Sequence, residues 1–222
     1  MLLVYYMMYG VDSQASIDAL GLPVKSITNA ERIQHEVVRK TIHMLIAFVP
    51  FLAAYDVMAT MVLLGMGIVF YTFAETMRLN GRRIILVTDI TLFAIRDRDR
   101  GKLVLGPITL GIGAMLSLLL YPEPASSIAI FALAFGDGFA SLVGSLFGKK
   151  KIPFTGGKSY IGTFAGFLAV FIITFKITGN LLFSLIISTA TSLFELFPTK
   201  DIDNLIIPVG TGLVAMKFFY LL

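Results

Sequence analysis

The residues best suited to chemistry lie between positions 134 and 166, where an acid interrupts an apolar stretch and a loop rich in glycine and lysine follows. The acid is Asp137, and Gly136 and Gly138 flank it. A carboxylate inside a membrane span costs roughly 2.5–3.5 kcal/mol, so we expect it to face a partner, water or an ion rather than lipid. The flanking glycines let a ligand or a neighbouring backbone come close. The alternative is an acid that pairs with a basic residue only for packing.

The loop 148–159 has the residue types that bind a polyphosphate. It offers ammonium groups, two adjacent glycines and a serine ahead of an apolar run, from Lys149, Lys150, Lys151, Gly156, Gly157, Lys158 and Ser159. Such a loop can present backbone N–H groups and a helix N-terminus to phosphate. A lysine cluster beside a membrane span is equally an ordinary topology signal. The loop lacks the first glycine of a Walker A motif at the required spacing, which argues against a P-loop NTPase.

Two further groups of ionisable residues lie at the ends of apolar runs. Helical spacing places four of them within one or two turns of each other, namely Glu36, Arg39, Lys40 and His43. The alternative for that group is an interfacial helix end with snorkelling cations and one buried, hydrogen-bonded histidine. The second group is Glu195, Asp203 and Asn204, of which Asn204 can also cap the last helix. Arginine and aspartate also alternate along a short run, which comprises Arg96, Asp97, Arg98, Asp99 and Arg100. These charges either pair with each other on a solvent-facing surface or contact phosphate.

The composition predicts a membrane protein. Of the 222 residues, 57% are hydrophobic and 14% are charged, and the mean hydropathy is +0.86. Such a chain lacks the polar surface that a soluble globule of this size needs. There is no cysteine and there are two histidines, which excludes thiolate chemistry and disfavours an imidazole-rich metal site.

The apolar runs predict an all-α, polytopic bundle of about seven transmembrane helices. We place the spans near 41–55, 57–79, 103–121, 125–147, 160–178, 181–197 and 205–222. The chain then divides into an N-terminal cytoplasmic or interfacial arm, 1–40, and a single transmembrane domain, 41–222. Residues 80–102 form an interfacial segment within that domain, and 84–95 are expected to form an interfacial or re-entrant helix.

The basic residues predict the orientation of the bundle. Sixteen of the eighteen lysines and arginines fall in the N-terminal arm and in alternate loops, and the exceptions are Lys176 and Lys217. Because basic residues collect on the cytoplasmic side, we expect a cytoplasmic N-terminus and a multi-pass protein of the cytoplasmic membrane.

These motifs together resemble the family of CTP-dependent lipid-alcohol kinases that includes dolichol kinase, phytol kinase and the yeast-type diacylglycerol kinase. The resemblance runs from about residue 30 to the end of the chain. Ile161 departs from the family, which often has Glu or Ala there, and the string 96–101 followed by Gly106 and Pro107 is closer to dolichol kinase. The matching residues are Glu36, Arg39, Lys40, His43, Gly136, Asp137, Gly138, Ala140, Gly144, Gly148, Lys149, Lys151, Ile152, Lys158, Ser159, Gly162, Thr163, Asp203, Asn204 and Pro208.

The resemblance implies transfer of the γ-phosphate of CTP to the hydroxyl of a lipid alcohol at the cytoplasmic face, with Mg²⁺ or a similar divalent cation. The implied catalytic residues are Asp137, Lys158 and His43, with Asp137 either holding the metal or accepting the proton of the alcohol. The implied CTP-binding residues are Lys149, Lys151, Gly156, Gly157, Ser159, Arg39, Lys40, Gly136, Gly138 and Asn204. The implied metal ligands are Asp137, Glu195 and Asp203.

Two other functions fit part of the pattern. A cytidylyltransferase acting on a lipid phosphate would also use CTP and Mg²⁺, but the Lys-Arg and Lys-Asp pairs expected of that family are missing. An ion-coupled transporter could use Asp137 as a proton or cation site, but the polar groups cluster at one membrane face instead of tracing a path across it. The sequence does not distinguish polyprenol, dolichol, phytol and diacylglycerol as the acceptor. No nucleic acid is expected as a partner, and the formation of a homo-oligomer is left open.

Overall fold

A computed structural model of the chain describes residues 29–95, 99, 101–198 and 202–221, and within these residues the regular structure is helical. The all-α prediction is confirmed for this part of the chain. Most of the predicted N-terminal arm, together with Arg96, Asp97, Arg98 and Arg100, lies outside the described residues. The α-helices are α1 (Asn29–Met44), α2 (Val49–Ala53), α3 (Val57–Leu79), α4 (Val87–Ala94), α5 (Gly106–Leu120), α6 (Ala125–Phe131), α7 (Gly138–Phe147), α8 (Tyr160–Thr178), α9 (Leu181–Leu196) and α10 (Asp203–Leu221).

Three helical segments are long and apolar enough to cross a membrane. These segments are α3, α8 and the continuous segment Ala125–Phe147, which contains α6 and α7. Each of the three coincides with a predicted span. Two shorter apolar helices, α5 and α9, lie within two further predicted spans. The large side chains of α3 mostly face outward, as expected where lipid replaces water as the solvent.

The predicted first span, 41–55, is not one straight helix. α1 runs through residues 40 and 41 and ends at Met44, a 3₁₀ turn follows at Leu45–Phe48, and α2 begins at Val49. Pro50 explains the interruption, since proline has no N–H to donate and its ring clashes with the carbonyl four residues earlier. The segment predicted as the first span therefore consists of several short helical pieces, and its crossing of the membrane stays a prediction.

The interior of the bundle forms where α6, α8, α9 and α10 meet. Ile128, Val170, Ile187 and Ile207 come from these four helices and are 2% exposed or less. Tyr121, at the end of α5, packs on the same cluster and donates a hydrogen bond from its hydroxyl to the Val209 carbonyl at 2.6 Å. This apolar centre sets the mutual positions of the helices that carry the polar residues described below.

A buried ion pair joins the end of α3 to the start of α5. Glu75 is 2% exposed and accepts hydrogen bonds from Arg78 Nε at 2.8 Å and from the Val104 N–H at 2.8 Å. Arg78 also donates from Nη2 to the Lys102 carbonyl at 2.9 Å. Because the carboxylate and the guanidinium satisfy each other and the backbone, the pair can lie inside the apolar bundle.

A seam of small residues lets α7 and α8 approach closely. Gly144 lies against Ser159 and Gly162, and Gly162 lies against the backbone of Ala140. Small residues of both helices therefore form the contact between α7 and α8. In membranes such seams replace the hydrophobic driving force with close van der Waals contact between backbones.

The seam yields a stability prediction for Gly162→Ala. A methyl group at this position would overlap the carbonyl oxygen of Ala140 and lie 2.9 Å from the Gly144 Cα, so the helices would have to move apart. We expect a loss of about 1–3 kcal/mol, as for other overpacked sites, measured by thermal unfolding in detergent. The matched control is Gly67→Ala in α3, where the added methyl meets nothing within 4 Å, and where alanine is the better helix former by about 1 kcal/mol. Equal melting temperatures for both variants would contradict the packing argument.

Candidate active site

Asp137 lies where the long apolar helix changes its winding. Residues Ala132–Asp137 form a π-helical segment between α6 and α7, and Asp137, its last residue, is 3% exposed. A π segment turns a side chain to a direction that a regular helix would not allow, and such segments are frequent at functional sites. The segment therefore presents a carboxylate inside the bundle.

Lys40 of α1 is the direct partner of this carboxylate. Its Nζ donates a hydrogen bond to Asp137 Oδ2, and the lysine is 5% exposed. Ser141, one turn after Asp137, lies with its hydroxyl 3.5 Å from the other oxygen, Oδ1. Asp137 is thus paired with a basic residue, and the pair also faces a large cavity, described below.

His43 lies one turn after Lys40 and is held by the backbone. Its Nε2 is 3.0 Å from the Leu133 carbonyl oxygen and 3.4 Å from Asp137 Oδ2. A carbonyl oxygen only accepts hydrogen bonds, so Nε2 must carry a proton and donate it to Leu133. In this arrangement Nε2 of His43 cannot take up a further proton. The contacts of His43 with Leu133 and Asp137 therefore suit a residue that positions Asp137.

Lys158 supplies a second buried cation. Its Nζ lies 3.1 Å from Glu195 Oε1 on α9, and Thr163 donates from its hydroxyl to Glu195 Oε2 at 3.3 Å. The Lys158 Nζ is shielded from solvent and forms an ion pair with Glu195, which uses one of the three donors of the ammonium group. The remaining donors are available to an anionic ligand in the cavity.

The loop between α7 and α8 is held as a small hairpin. Lys151 and Ser159 form an isolated antiparallel bridge, and the Ile152 N–H donates to the Lys158 carbonyl at 2.8 Å. Gly156 and Gly157 follow each other with φ angles of +70° and +99°, which non-glycine residues rarely adopt. Ser159 caps α8 by accepting the Gly162 N–H at 3.2 Å.

These groups surround one cavity of about 500 Å³. It lies between α1, the π segment, α7, the hairpin loop and the ends of α9 and α10. Nine of the predicted site residues line it, which are Lys40, Asp137, Lys151, Gly156, Gly157, Lys158, Ser159, Glu195 and Asp203. Residues that are far apart in the chain thus meet at one cavity, and the lining of this cavity carries both positive and negative charges.

The remaining predicted site residues lie elsewhere. Lys149 is exposed and does not line this cavity. Gly136 and Gly138 face neighbouring helices, since a side chain there would meet Val170 and Met44. A second, more apolar cavity is lined in part by Arg39, His43 and Asn204.

Asn204 serves as a bridge between helices. Its side-chain amide donates to the Gly106 carbonyl at 3.1 Å and to the Thr109 hydroxyl at 2.9 Å, which joins α10 to α5. It is the second residue of α10, so it does not cap that helix. Arg39 instead forms an ion pair with Glu36, one turn earlier in α1.

Asp203 has an unusual electrostatic environment. It lies ahead of the apolar part of α10, and burial raises the pKa of its carboxyl to about 6, with the negative charge of Asp137 adding to the rise. The positive charges of Lys40 and Lys158 act in the opposite direction. Asp203 is therefore poised between a carboxylate and a carboxylic acid near neutral pH.

The cavity fits a metal ion that is shared with a ligand. Among the described residues, no group of three carboxylate or imidazole side chains lies close enough to hold a metal ion on its own. Mg²⁺ commonly binds through one or two carboxylates together with waters and substrate phosphates. Asp137 and Asp203 both line the cavity and are the two carboxylates that such a site needs.

Two polar contacts within the site were not predicted from the sequence. Ser141 contacts Asp137, and Thr163 contacts Glu195. The four-residue spacing from Asp137 could have indicated Ser141, because residues four apart share a helix face. No local signal links Thr163 to Glu195.

Comparison with known proteins supports a kinase of lipid alcohols. No protein-family model and no solved structure matches the chain. A Triticum aestivum protein named probable phytol kinase, chloroplastic, is 26% identical over 214 residues, which cover 87% of this chain and 71% of the relative. Farnesol kinase, chloroplastic, from Arabidopsis thaliana is 32% identical over 141 residues, covering 56% of this chain and 46% of the relative. A Synechocystis sp. protein named phytol kinase is 33% identical over 105 residues, covering 43% of this chain and 45% of the relative. The predicted resemblance to the lipid-alcohol kinases is thereby confirmed.

The buried pair yields a second stability prediction. Lys40→Met leaves the Asp137 carboxylate without its partner, and breaking a buried pair costs about 3–5 kcal/mol. We expect the double variant Lys40→Met/Asp137→Leu to recover much of that loss, because it removes both charges. The free energy of unfolding in detergent measures both effects, with Lys150→Met, at an exposed lysine, as the control. A double variant no more stable than Lys40→Met would show that the two charges do not stabilise each other.

Proposed function

Because the chain is similar to phytol and farnesol kinases, we propose that it is an integral membrane kinase that phosphorylates the hydroxyl of a lipid alcohol. The observation that carries the proposal is the cavity of about 500 Å³, where the buried Asp137, Glu195 and Lys40 and the half-buried Lys158 meet inside a bundle of apolar helices. Phosphoryl transfer requires mainly positioning and neutralisation of charge. A cavity that has both signs of charge, in a protein with bilayer-length helices, suits an acceptor that is dissolved in lipid.

The proposed phosphate donor is CTP. The hairpin loop supplies Lys151 and Lys158 as cations for the triphosphate, and its glycines leave backbone N–H groups unobstructed by side chains. The Lys158 ammonium is the best placed of these groups, because it is shielded from solvent and has donors to spare. Charge-assisted hydrogen bonds to phosphate are about twice as strong as neutral ones.

In the proposed reaction, the alcohol oxygen forms a bond to the γ-phosphorus while the bond from that phosphorus to the β-γ bridging oxygen breaks. CDP leaves with the electron pair of the broken bond, and the hydroxyl proton passes to a carboxylate. Of the two aspartates of the cavity, Asp137 and Asp203, one would accept the proton and the other would hold the divalent cation. When bound, that cation would neutralise the charge that develops on the phosphate oxygens.

The proposed topology is seven spans with a cytoplasmic N-terminus and the cavity at the cytoplasmic face. The distribution of the basic residues supports this orientation, and the cavity lies at the hairpin loop, which contains four of them. CTP would then reach the site from the cytoplasm and the alcohol from the bilayer. Among polyprenol, dolichol, phytol and diacylglycerol, the names of the relatives favour an isoprenoid alcohol.

The first test is transfer of labelled γ-phosphate from CTP, with ATP in parallel, to farnesol, phytol, dolichol and diacylglycerol in detergent. We expect the wild type to form a labelled lipid monophosphate and Asp137→Asn to lose at least about 100-fold in rate, because an amide can neither accept the hydroxyl proton nor hold the cation as a carboxylate does. The matched control is Asp56→Asn, which keeps the cap of α3 and lines neither cavity. If no alcohol is labelled but a lipid phosphate given with CTP forms a CDP-lipid and releases pyrophosphate, the protein is a cytidylyltransferase instead.

A second test addresses the nucleotide. Lys158→Met removes an ammonium group from the cavity at one end of α8, and we expect the KM for CTP to rise by about tenfold or more. Lys176→Met removes a lysine at the other end of the same helix, outside the cavity, and should leave the KM unchanged. If both substitutions altered the KM equally, a general charge effect and not a contact in the cavity would be responsible.

A further inference from the structure

A second cavity, of about 270 Å³, lies beside the polar one. It is enclosed by α1, α3, α4, α5 and the start of α10, and much of its lining is apolar, including Val87, Ala94 and Leu110. Pockets that enclose a whole drug-sized molecule measure about 300–1,000 Å³. This cavity therefore has the size and chemistry for one end of a larger apolar molecule.

The two cavities share part of their walls. Lys40 and Asp203 line both of them, so a ligand in the apolar cavity and a ligand in the polar cavity would meet at these two side chains. Lys40 is the residue that binds Asp137. The shared wall thus consists of Asp203, one of the two aspartates of the proposed transfer, and of Lys40, the partner of the other.

The apolar cavity also has an opening toward the outside of the bundle. Ile42 of α1 and Ile90 of α4 line it and are nevertheless 38% and 43% exposed. Large apolar side chains at an opening suit a ligand that arrives from lipid and not from water.

One polar group in the wall of this cavity has spare hydrogen-bonding capacity. Tyr71 lines it, and its hydroxyl is shielded from solvent but makes no hydrogen bond of normal geometry to the described residues, with Thr91 as its polar neighbour. A buried hydroxyl without a partner is unfavourable by about 1–3 kcal/mol. The Tyr71 hydroxyl is thus a polar group that a ligand in this cavity can meet in addition to Lys40 and Asp203.

We propose that the apolar cavity binds the hydroxyl end of an isoprenoid alcohol, with the hydroxyl directed to Lys40 and Asp203. The hydrocarbon tail leaves the bundle between α1 and α4, past Ile42 and Ile90. This assignment rests on the proposed function and adds to it the location of the acceptor. Because only the end of the molecule is enclosed, alcohols with tails of different length would bind in the same way.

The experiment fills the cavity with a bulky side chain and compares a matched position on the same helix. Leu110→Trp places an indole in the cavity, whereas Leu119→Trp places one on the outer surface of α5, where Leu119 is 69% exposed. For Leu110→Trp we expect kcat/KM for farnesol to fall about tenfold or more while the KM for CTP is unchanged. Leu119→Trp should behave as the wild type. Unchanged farnesol kinetics in Leu110→Trp would overturn the assignment while leaving the kinase itself established.

A binding measurement that needs no turnover separates the two proposals. The wild type in detergent is photolabelled with a diazirine analogue of farnesol, and the labelled residues are mapped by mass spectrometry. We expect labelling of α1, α4 and α5 around the cavity that excess farnesol suppresses and that Leu110→Trp reduces at least several-fold. Labelling confined to the outward faces of α3 and α8, without competition by farnesol, would overturn the assignment. Competed labelling of the cavity without phosphate transfer by the wild type would uphold the acceptor site and reject the kinase.

Discussion

The buried ion pair between Lys40 and Asp137 is the interaction on which the arrangement of the site depends. Neither charge is tolerable alone in a bundle of apolar helices, because a buried ion without a partner loses its hydration and gains nothing in return. Lys40 lies on α1, which has polar residues on one side, and Asp137 lies in the middle of a bilayer-length apolar helix. Their pairing holds α1 against the π segment, where His43 adds a hydrogen bond to the Leu133 carbonyl. Since Lys40 lines both cavities, the position of α1 determines the shape of each.

A second constraint comes from residues that have almost no side chain. The close approach of Gly144 and Gly162 brings α8 against α7, and the hairpin loop between these helices is then folded over the end of the bundle. This places Lys158 beside Glu195 of α9. Two cation–carboxylate pairs, one from α1 and one from the hairpin loop, thus face the same cavity from different sides. Backbone contact at the seam and charge pairing at the cavity depend on each other, because a wider helix separation would also move the loop.

Under the proposed function, the neighbouring cavities address a problem of any enzyme that has one soluble and one lipid substrate. A triphosphate needs a polar, positively charged environment, whereas an isoprenoid tail needs an apolar one, and the reacting atoms must still come within bonding distance. Here the polar and the apolar cavity meet at Lys40 and Asp203, so each ligand can lie in its own environment. Glu75 and Arg78 contribute at a distance, because they hold the segment before α5 and hence one wall of the apolar cavity.

The sequence by itself determined the features that have a local cause. The bounds of α3, of Ala125–Phe147 and of α8 follow from apolar runs of bilayer length, and Asp137 and the loop 148–159 stand out because charge and glycine are anomalous in such surroundings. Tertiary structure decided which residues meet. Lys40 and Asp137 are 97 positions apart, and nothing local indicates that they pair. The same holds for Gly136 and Gly138, which contact neighbouring side chains, and for the apolar cavity with Tyr71, whose walls come from five helices. Partners across such separations are selected by the packing of whole helices, and that packing leaves no periodic or compositional signal in the chain.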